Sequence, residues 1–165
     1  MKPFKIGKKS IGPGFPVFFI AEAGVNHNGS LSLALKMVDA AKNSGADAVK
    51  FQSFKTNNLI LPNALKSKYH LETTGSDKKQ SWYNLLKTQE MSYEMHYKII
   101  QYCKKKKIIF LSTPYDEESV DMLEKLKVKA YKIASSDNSN IPLLKYVAKK
   151  KKPVLISTAM ASIEE

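Results

Sequence analysis

Residues 17–52 read VFFIAEAGVNHNGSLSLALKMVDAAKNSGADAVKFQ, and their hydrophobic period changes twice. Residues 17–21 form a short apolar run with aromatic and β-branched side chains, which predicts a buried strand. From Leu31 onward the apolar residues recur at intervals of three and four, as on one face of a helix, and Ser30 is placed to cap its start. Residues 47–52 predict a second strand. Because a helix joins the two strands, we expect them to be parallel.

The alternation of strands and helices continues along the sequence. Residues 1–16 contain glycines and prolines whose spacing predicts a lead-in hairpin around Gly7. Residues 57–89 are less regular and predict a long insertion before the next helix. Further strands are predicted at residues 108–111, 129–133 and 153–157, and further helices after Ser92, Asp116 and Asn140 and from Thr158 onward. Repeated βα units predict a parallel sheet with helices outside it.

Polar side chains cluster where the predicted strands end. They are Glu22 and His27, Lys50 and Gln52, Thr113 and Tyr115, Lys132 and Ser135, and Ser157 and Thr158. In a β/α barrel the carboxyl ends of all strands form the active face, whereas an open doubly wound sheet binds ligand mainly at one switch point. Since every strand contributes polar residues, the pattern favours a barrel. Two lysines and two hydroxyls converging there could hold an anionic ligand.

Length and composition exclude several classes of protein. The 165 residues suffice for one domain with a real core, and no apolar run approaches the 18 residues of a membrane span. The N-terminus is basic but lacks the continuous apolar core of a signal peptide, so we expect a cytoplasmic protein. Cys103 is the single cysteine, which excludes an internal disulfide and suggests a buried thiol.

The net charge of +12 has two interpretations, nucleic-acid binding or an anionic small substrate in a lysine-rich protein. The densest lysine runs, residues 104–107 and 149–152, each end a predicted helix just before a strand. Lysines there favour the helix dipole and solubility, and they lie at the opposite end of the strands from the polar cluster. Few aromatic residues are interleaved with them, so we favour a solvated face over a nucleic-acid interface.

Five motifs in order and spacing, IAEAGVNHNGS, GADAVKFQ, FLSTPYD, AYKIAS and PVLISTAMAS, resemble the sialic acid synthase family. The resemblance implies a (β/α)8 TIM barrel followed by a small antifreeze-like domain. It covers the first half of that barrel, strands one to five with their helices. We therefore expect a partial, truncated barrel over residues 17–165, with residues 1–16 as the lead-in and the remaining barrel and the C-terminal domain absent.

The resemblance also implies a reaction. Phosphoenolpyruvate would condense with an N-acylated hexosamine, such as N-acetylmannosamine or a diacetylated analogue, to give a nine-carbon sialic-type acid and phosphate. A related condensing enzyme such as 3-deoxy-octulosonate phosphate synthase is an alternative, although its phosphorylated sugar would call for additional basic residues. A non-enzymatic nucleic-acid-binding module is the third possibility. The piece alone is expected to be inactive, and the full-length form to be a homodimer without a membrane partner.

Each polar residue acquires an implied role from the resemblance. Glu22 would contact the sugar hydroxyls, and Tyr115 would line the sugar pocket. Asp137 lies where family members often have Glu, and would handle the attacking water with a shorter side chain. The residues implied to hold phosphoenolpyruvate are Lys50, Gln52, Thr113, Lys132 and Ser135.

Structural roles remain open for some of these residues. Glu22 could pair with Lys50 simply to stabilise the strand ends, Lys132 could extend its ammonium group to the rim, and Thr113 with Pro114 could only end a strand.

The family's divalent metal, Mn²⁺ or Mg²⁺, is implied to bind two histidines of later strands, beyond residue 165. We expect no metal ligands in this chain. His27, His70 and His96 are far apart in sequence, and no pair has the spacing of two ligands on one helix face. His27 is interpreted as a loop-ordering residue, and His96 as a helix surface or core residue.

Overall fold

The computed structural model describes residues 2–66, residue 72 and residues 81–162. Its strands are β1 (Phe4–Ile6), β2 (Lys9–Ile11), β3 (Ile20–Gly24), β4 (Ala48–Ser53), β5 (Ile109–Pro114), β6 (Tyr131–Ile133) and β7 (Val154–Ile156). Its helices are α1 (Leu31–Asn43), α2 (Thr56–Leu59), α3 (Trp82–Gln89), α4 (Tyr93–Lys106), α5 (Glu117–Lys125) and α6 (Ile141–Ala148), with a 3₁₀ turn at Ser135–Asp137.

The main strands are parallel and follow chain order. β3, β4 and β5 form one sheet, β6 pairs with β7, and β5 lies against β6. Each of these strands except β7 is followed in the chain by a helix, as expected for consecutive βα units. The predicted fold class, part of a β/α barrel, is confirmed.

Alternation along each strand separates two faces of the sheet. On β4, Val49 and Phe51 point outward and join the main core, where they meet Val38 of α1 and Ile99 of α4. Ala48 belongs instead to a second cluster on the inward face, and Lys50 and Gln52 alternate with the two outward residues. The inward face is therefore apolar at its amino end and polar at its carboxyl end.

The hairpin of β1 and β2 closes the amino end of the inward face. The two strands are antiparallel around the turn at Gly7, where the sequence predicts a hairpin. Ile6 is fully buried against Ala48 of β4, Leu111 of β5 and Ala130, which directly precedes β6. This contact gives the inward face an apolar floor.

The predicted helix caps are confirmed. In each case the side chain of the capping residue accepts a hydrogen bond from the backbone N–H three residues later, which satisfies one of the free donors of the first turn. The caps are Ser30, Ser92, Asp116 and Asn140.

Two predictions about elements are wrong. The strand predicted at residues 17–21 begins only at Ile20, and Val17 and Phe19 are 70% and 63% exposed. The reason is that the parallel ladder starts where Ile20 meets Ala48, and Pro16 keeps the preceding segment irregular. The helix predicted from Thr158 is not formed over residues 158–162, which make a turn, and residues 163–165 lie outside the described part.

Cys103 is buried and free, and burial raises the pKa of its thiol to about 12, so it is the structural thiol that the sequence suggests.

No described helix combines the length and the apolar character that a membrane span requires.

Candidate active site

The candidate site lies at the carboxyl ends of β3 to β7, on the inward face of the sheet. Glu22 is paired in register with Lys50, and Gln52 with Thr113. Lys132 is paired in register with Leu155 of β7. Since alternate residues of a strand share a face, the register brings the predicted residues of four strands to one surface.

Glu22 and Lys50 form an ion pair between the carboxylate Oε2 and the ammonium Nζ. The side chain of Lys50 is only 14% exposed, whereas that of Glu22 is 47% exposed. The lysine is thus the more buried partner, and the carboxylate is the more exposed one. This pairing is the structural alternative that the sequence leaves open, and it leaves Glu22 accessible to a ligand.

Lys132 lies across the site from Lys50. Its Nζ donates to the carbonyl of Ile133 at 2.6 Å and to the hydroxyl of Ser157. Burial lowers the pKa of Lys132, and the nearby charge of Lys50 lowers it further, while Glu22 acts in the opposite direction. Two ammonium groups therefore face the same space, and of the two only Lys50 is ion-paired with Glu22 among the described contacts, an arrangement that a bound anion would stabilise.

Gln52 and Thr113 extend the polar surface between these lysines. Thr113 is buried, and the Gln52 side chain reaches the bend at Gly24. Gly24 has φ +55°, and a Cβ there would lie 3.4 Å from Glu22 Oε1 and 3.8 Å from Gln52 Nε2. The glycine lets β3 bend beside both side chains, where its register with β4 shifts.

Tyr115 and Asp137 close a second side of the site. The Tyr115 ring packs edge-on against Phe54, with the ring centroids 6.5 Å apart. Burial raises the pKa of Tyr115 to about 12, and the charges of Asp137 and Glu22 contribute to the rise. Asp137 Oδ1 accepts from Asn140 Nδ2 at 3.1 Å, while its Oδ2 is buried without a hydrogen-bond partner among the residues that the structure describes. The free oxygen can accept a proton or a hydrogen bond.

The structure brings together most of the predicted residues. Lys50, Lys132, Glu22, Tyr115 and Asp137 interact directly or through their charges. Ser135 opens the 3₁₀ turn that carries Asp137.

Ser157 is the residue that sequence reasoning left out of the site. Its position among the polar residues at the predicted strand ends is the sequence signal that could have identified it as a site residue. The hydrogen bond from Lys132 shows that β7 reaches the site.

The histidines have structural contacts. His27 Nδ1 accepts from the Gly29 N–H at 3.0 Å and orders the loop before α1, as predicted. His96 is 1% exposed and lies in the core. His70 lies outside the described residues. Among the described residues, no group of three or more His, Cys, Asp or Glu side chains is arranged to hold a metal ion, so these residues do not fit the divalent metal site that the resemblance implies.

Comparison with known proteins follows the same motifs. The NeuB family profile matches residues 37–165, which is most of the chain. The chain belongs to the NeuB family. Within the family it is 48% identical over 146 residues to the N,N'-diacetyllegionaminic acid synthase of Campylobacter jejuni, covering 88% of this chain and 43% of that protein. It is 38% identical over 149 residues to the pseudaminic acid synthase of the same organism, covering 90% of this chain and 43% of that protein.

A solved structure also supports the fold. The N-acetylneuraminic acid synthetase of Leptospira borgpetersenii, crystallised with citrate, superposes with a TM-score of 0.81 at 35% identity. The match covers 99% of this chain and 52% of that one. The chain thus spans about half the length of the NeuB relatives that it matches.

Proposed function

We propose that this chain supplies the phosphoenolpyruvate half of a sialic acid synthase-type site. The observation that carries the proposal is the placement of Lys50 and Lys132 on one inward face, where Lys50 is ion-paired with Glu22 and the charge of Lys50 lowers the pKa of Lys132. Phosphoenolpyruvate brings a phosphate and a carboxylate, which are the groups that such a pair and its neighbouring hydroxyls bind. Membership of the NeuB family supports this choice of ligand.

Each neighbouring residue has a place in the proposed complex. The amide of Gln52 and the hydroxyls of Thr113 and Ser135 donate to the phosphate or carboxylate oxygens, while the two ammonium groups neutralise their charge. Ser157 positions Lys132 through its hydrogen bond. Holding the ligand by both anionic ends would leave its C3 carbon directed at the acceptor.

The acceptor side is assigned to Glu22 and Tyr115. Glu22 is half exposed beside Lys50 and would accept hydrogen bonds from sugar hydroxyls. Tyr115 stays protonated at neutral pH, since its pKa is raised to about 12, and would donate through its hydroxyl. In the proposed reaction, the C2=C3 double bond of phosphoenolpyruvate supplies the electron pair for a bond from C3 to the aldehyde carbon of an open-chain N-acyl hexosamine. The aldehyde C=O becomes a single bond, and its oxygen takes up a proton to become a hydroxyl.

Asp137 completes the proposed reaction. Its unpartnered Oδ2 would accept a proton from the water that adds to C2 of phosphoenolpyruvate, after which the C–O bond to phosphate breaks. The 3₁₀ turn and the hydrogen bond from Asn140 hold the carboxylate in place. A divalent metal, Mn²⁺ or Mg²⁺, stays a prediction, and no role in the proposed reaction is assigned to it because the described residues form no site for it.

A legionaminic acid-type acceptor, a diacetylated hexosamine, is favoured over a pseudaminic acid-type one. Identity to the named legionaminic acid synthase is 48%, against 38% for the pseudaminic acid synthase over a similar length. A cytoplasmic location accompanies this proposal, because phosphoenolpyruvate is a cytoplasmic metabolite. A homodimer and the lack of a nucleic-acid partner stay predictions.

The test separates binding from turnover. We expect the 165-residue chain to bind phosphoenolpyruvate in isothermal titration but to release no phosphate when N-acetylmannosamine or its diacetylated analogue is added. Pyruvate, which lacks the phosphate, is the matched control ligand and should bind more weakly. Equal affinity for the two ligands would refute the two-lysine phosphate site, and phosphate release would refute the expected inactivity of the piece.

A further inference from the structure

A buried chain of hydrogen bonds lies directly behind the candidate site. Ser53 follows Gln52 on β4, and Ser112 precedes Thr113 on β5, so both serines face outward where their neighbours face the ligand. The two hydroxyl oxygens are 2.7 Å apart, and Ser53 Oγ is also 2.7 Å from Nε2 of His96. The side chains of Ser53, Ser112 and His96 are each 1% exposed.

The direction of these hydrogen bonds follows from the other ring nitrogen. His96 Nδ1 lies 2.8 Å from the carbonyl oxygen of Ser92, which can only accept, so Nδ1 carries the proton. Nε2 then accepts from the Ser53 hydroxyl, and Ser53 in turn accepts from Ser112. The hydroxyl protons of Ser53 and Ser112 thus each have a defined acceptor. These hydrogen bonds link helix α4 to the ends of β4 and β5.

The linked strand ends also carry a backbone bond that reaches the acceptor side. The N–H of Tyr115 donates to the carbonyl of Ser53 at 3.0 Å, which prolongs the pairing of β4 with β5 by one residue. Phe54, the next residue, packs against the Tyr115 ring. Movement of Ser53 would therefore be transmitted to Gln52 on one side and to Tyr115 on the other.

We propose that His96 is a positioning residue, which holds the carboxyl ends of β4 and β5 in register through Ser53 and Ser112 so that Gln52, Thr113 and Tyr115 meet the ligand together. It touches no reacting atom. The identity of that ligand rests on the proposed function, whereas the locking of the strand ends does not.

Amide hydrogen exchange measured residue by residue tests the locking directly. The Tyr115 amide reports the carboxyl end of the β4–β5 pairing, and the Ile109 amide, bonded to the Asp47 carbonyl at 3.0 Å, reports the amino end. In His96→Leu we expect the Tyr115 amide to exchange about tenfold faster, as for the loss of one hydrogen bond, with Ile109 changed less than about twofold. His96→Gln, whose amide oxygen can accept from Ser53, should restore slow exchange.

Ser112→Ala provides a second and milder variant should His96→Leu fail to fold, and it should accelerate Tyr115 in the same selective way. Ile99→Val, a buried change on the same helix, is the control for general loosening, and should alter both amides alike. Equal acceleration of Tyr115 and Ile109 in the His96 and Ser112 variants, or no acceleration of either, would overturn the proposal.

Phosphoenolpyruvate titration links the locking to the site. We expect His96→Leu to weaken binding about fivefold and His96→Gln to bind like the wild type. Unchanged affinity in His96→Leu, despite faster Tyr115 exchange, would also overturn the positioning role. No binding by the wild type would refute the proposed function instead, while the exchange experiment would still decide whether His96 locks the strands.

Discussion

The two ends of the inward face differ although the same strands build both. At the amino end, Ile6 packs on Ala48, Leu111 and Ala130 with no charged group among them. At the carboxyl end, two residues further along, Lys50 and Lys132 share the surface with Glu22. The first inward residues of these strands are therefore buried in an apolar cluster, whereas the last inward residues carry the polar groups of the candidate site.

The largest effect is expected at the apolar end. Leu111→Ala should lower the free energy of unfolding by about 2–5 kcal/mol, because Leu111 is fully buried and its truncation removes buried apolar contacts and leaves a cavity. Chemical denaturation measures this change. Leu61→Ala, at a position that is 71% exposed, is the control and should stay within about 0.5 kcal/mol of the wild type. Equal losses in both variants would contradict the apolar floor.

At the polar end, Lys132→Ala should weaken phosphoenolpyruvate binding by about 1.5–3 kcal/mol, the contribution of a charge-assisted hydrogen bond. Lys129→Ala removes an exposed lysine from the other end of the same segment and should leave the affinity unchanged. Titration calorimetry on the two variants compares the ends directly. If the two variants bind phosphoenolpyruvate with the same affinity, Lys132 only extends toward the rim, and its charge has no role in binding.

As the pH falls, the free energy of unfolding should decrease first through His96, which lies behind the polar end of the inward face. Burial lowers the pKa of His96 to about 4 from 6.5, so the unfolded chain binds its proton more tightly than the folded chain does. This contribution to stability is complete above pH 6.5 and is lost as the pH falls toward 4. At the amino end, the Lys9 partner lowers the pKa of Asp47 from 3.8, so stability is lost there only at lower pH.

Denaturant unfolding at a series of pH values tests that order. Between about pH 7 and pH 5 the wild type should lose about 2 kcal/mol through His96, and His96→Leu should lose less than the wild type over this range. Burial also lowers the pKa of His27, which remains in both proteins and cancels in the comparison. Identical pH slopes would show that His96 does not titrate in this window.

The smallest effect on stability is expected for Glu22→Gln. The carboxylate is half exposed, and surface ion pairs contribute about 0–1 kcal/mol, so thermal unfolding should shift little. Lys50→Met, at the buried partner, is the informative companion and should abolish phosphoenolpyruvate binding. A loss well above about 1 kcal/mol in Glu22→Gln would favour the structural interpretation of the Glu22–Lys50 pair.

Much of the fold was predictable because local signals agreed with it. The caps at Ser30, Ser92 and Asp116 and the change of period along residues 31–43 depend on hydrogen bonds and burial within a few residues. The start of β3 was not predictable, since Val17 and Phe19 have the composition of a buried strand but their side chains are exposed, and the ladder of paired residues with β4 begins only at Ile20. A strand exists only where another strand pairs with it, and that depends on residues far away in the sequence.

The sequence by itself determined which residue types follow each strand, and therefore that lysines, a carboxylate and hydroxyls would gather at one end of a parallel sheet. Tertiary structure alone decided how they meet: the pairing of Glu22 with Lys50, the contact of Lys132 with Ser157, and the locking of Ser53 by His96. The physical reason is the separation in sequence over which each interaction acts. Alternation and capping act between near neighbours, whereas hydrogen bonds and charges between strands depend on the register that the whole core imposes.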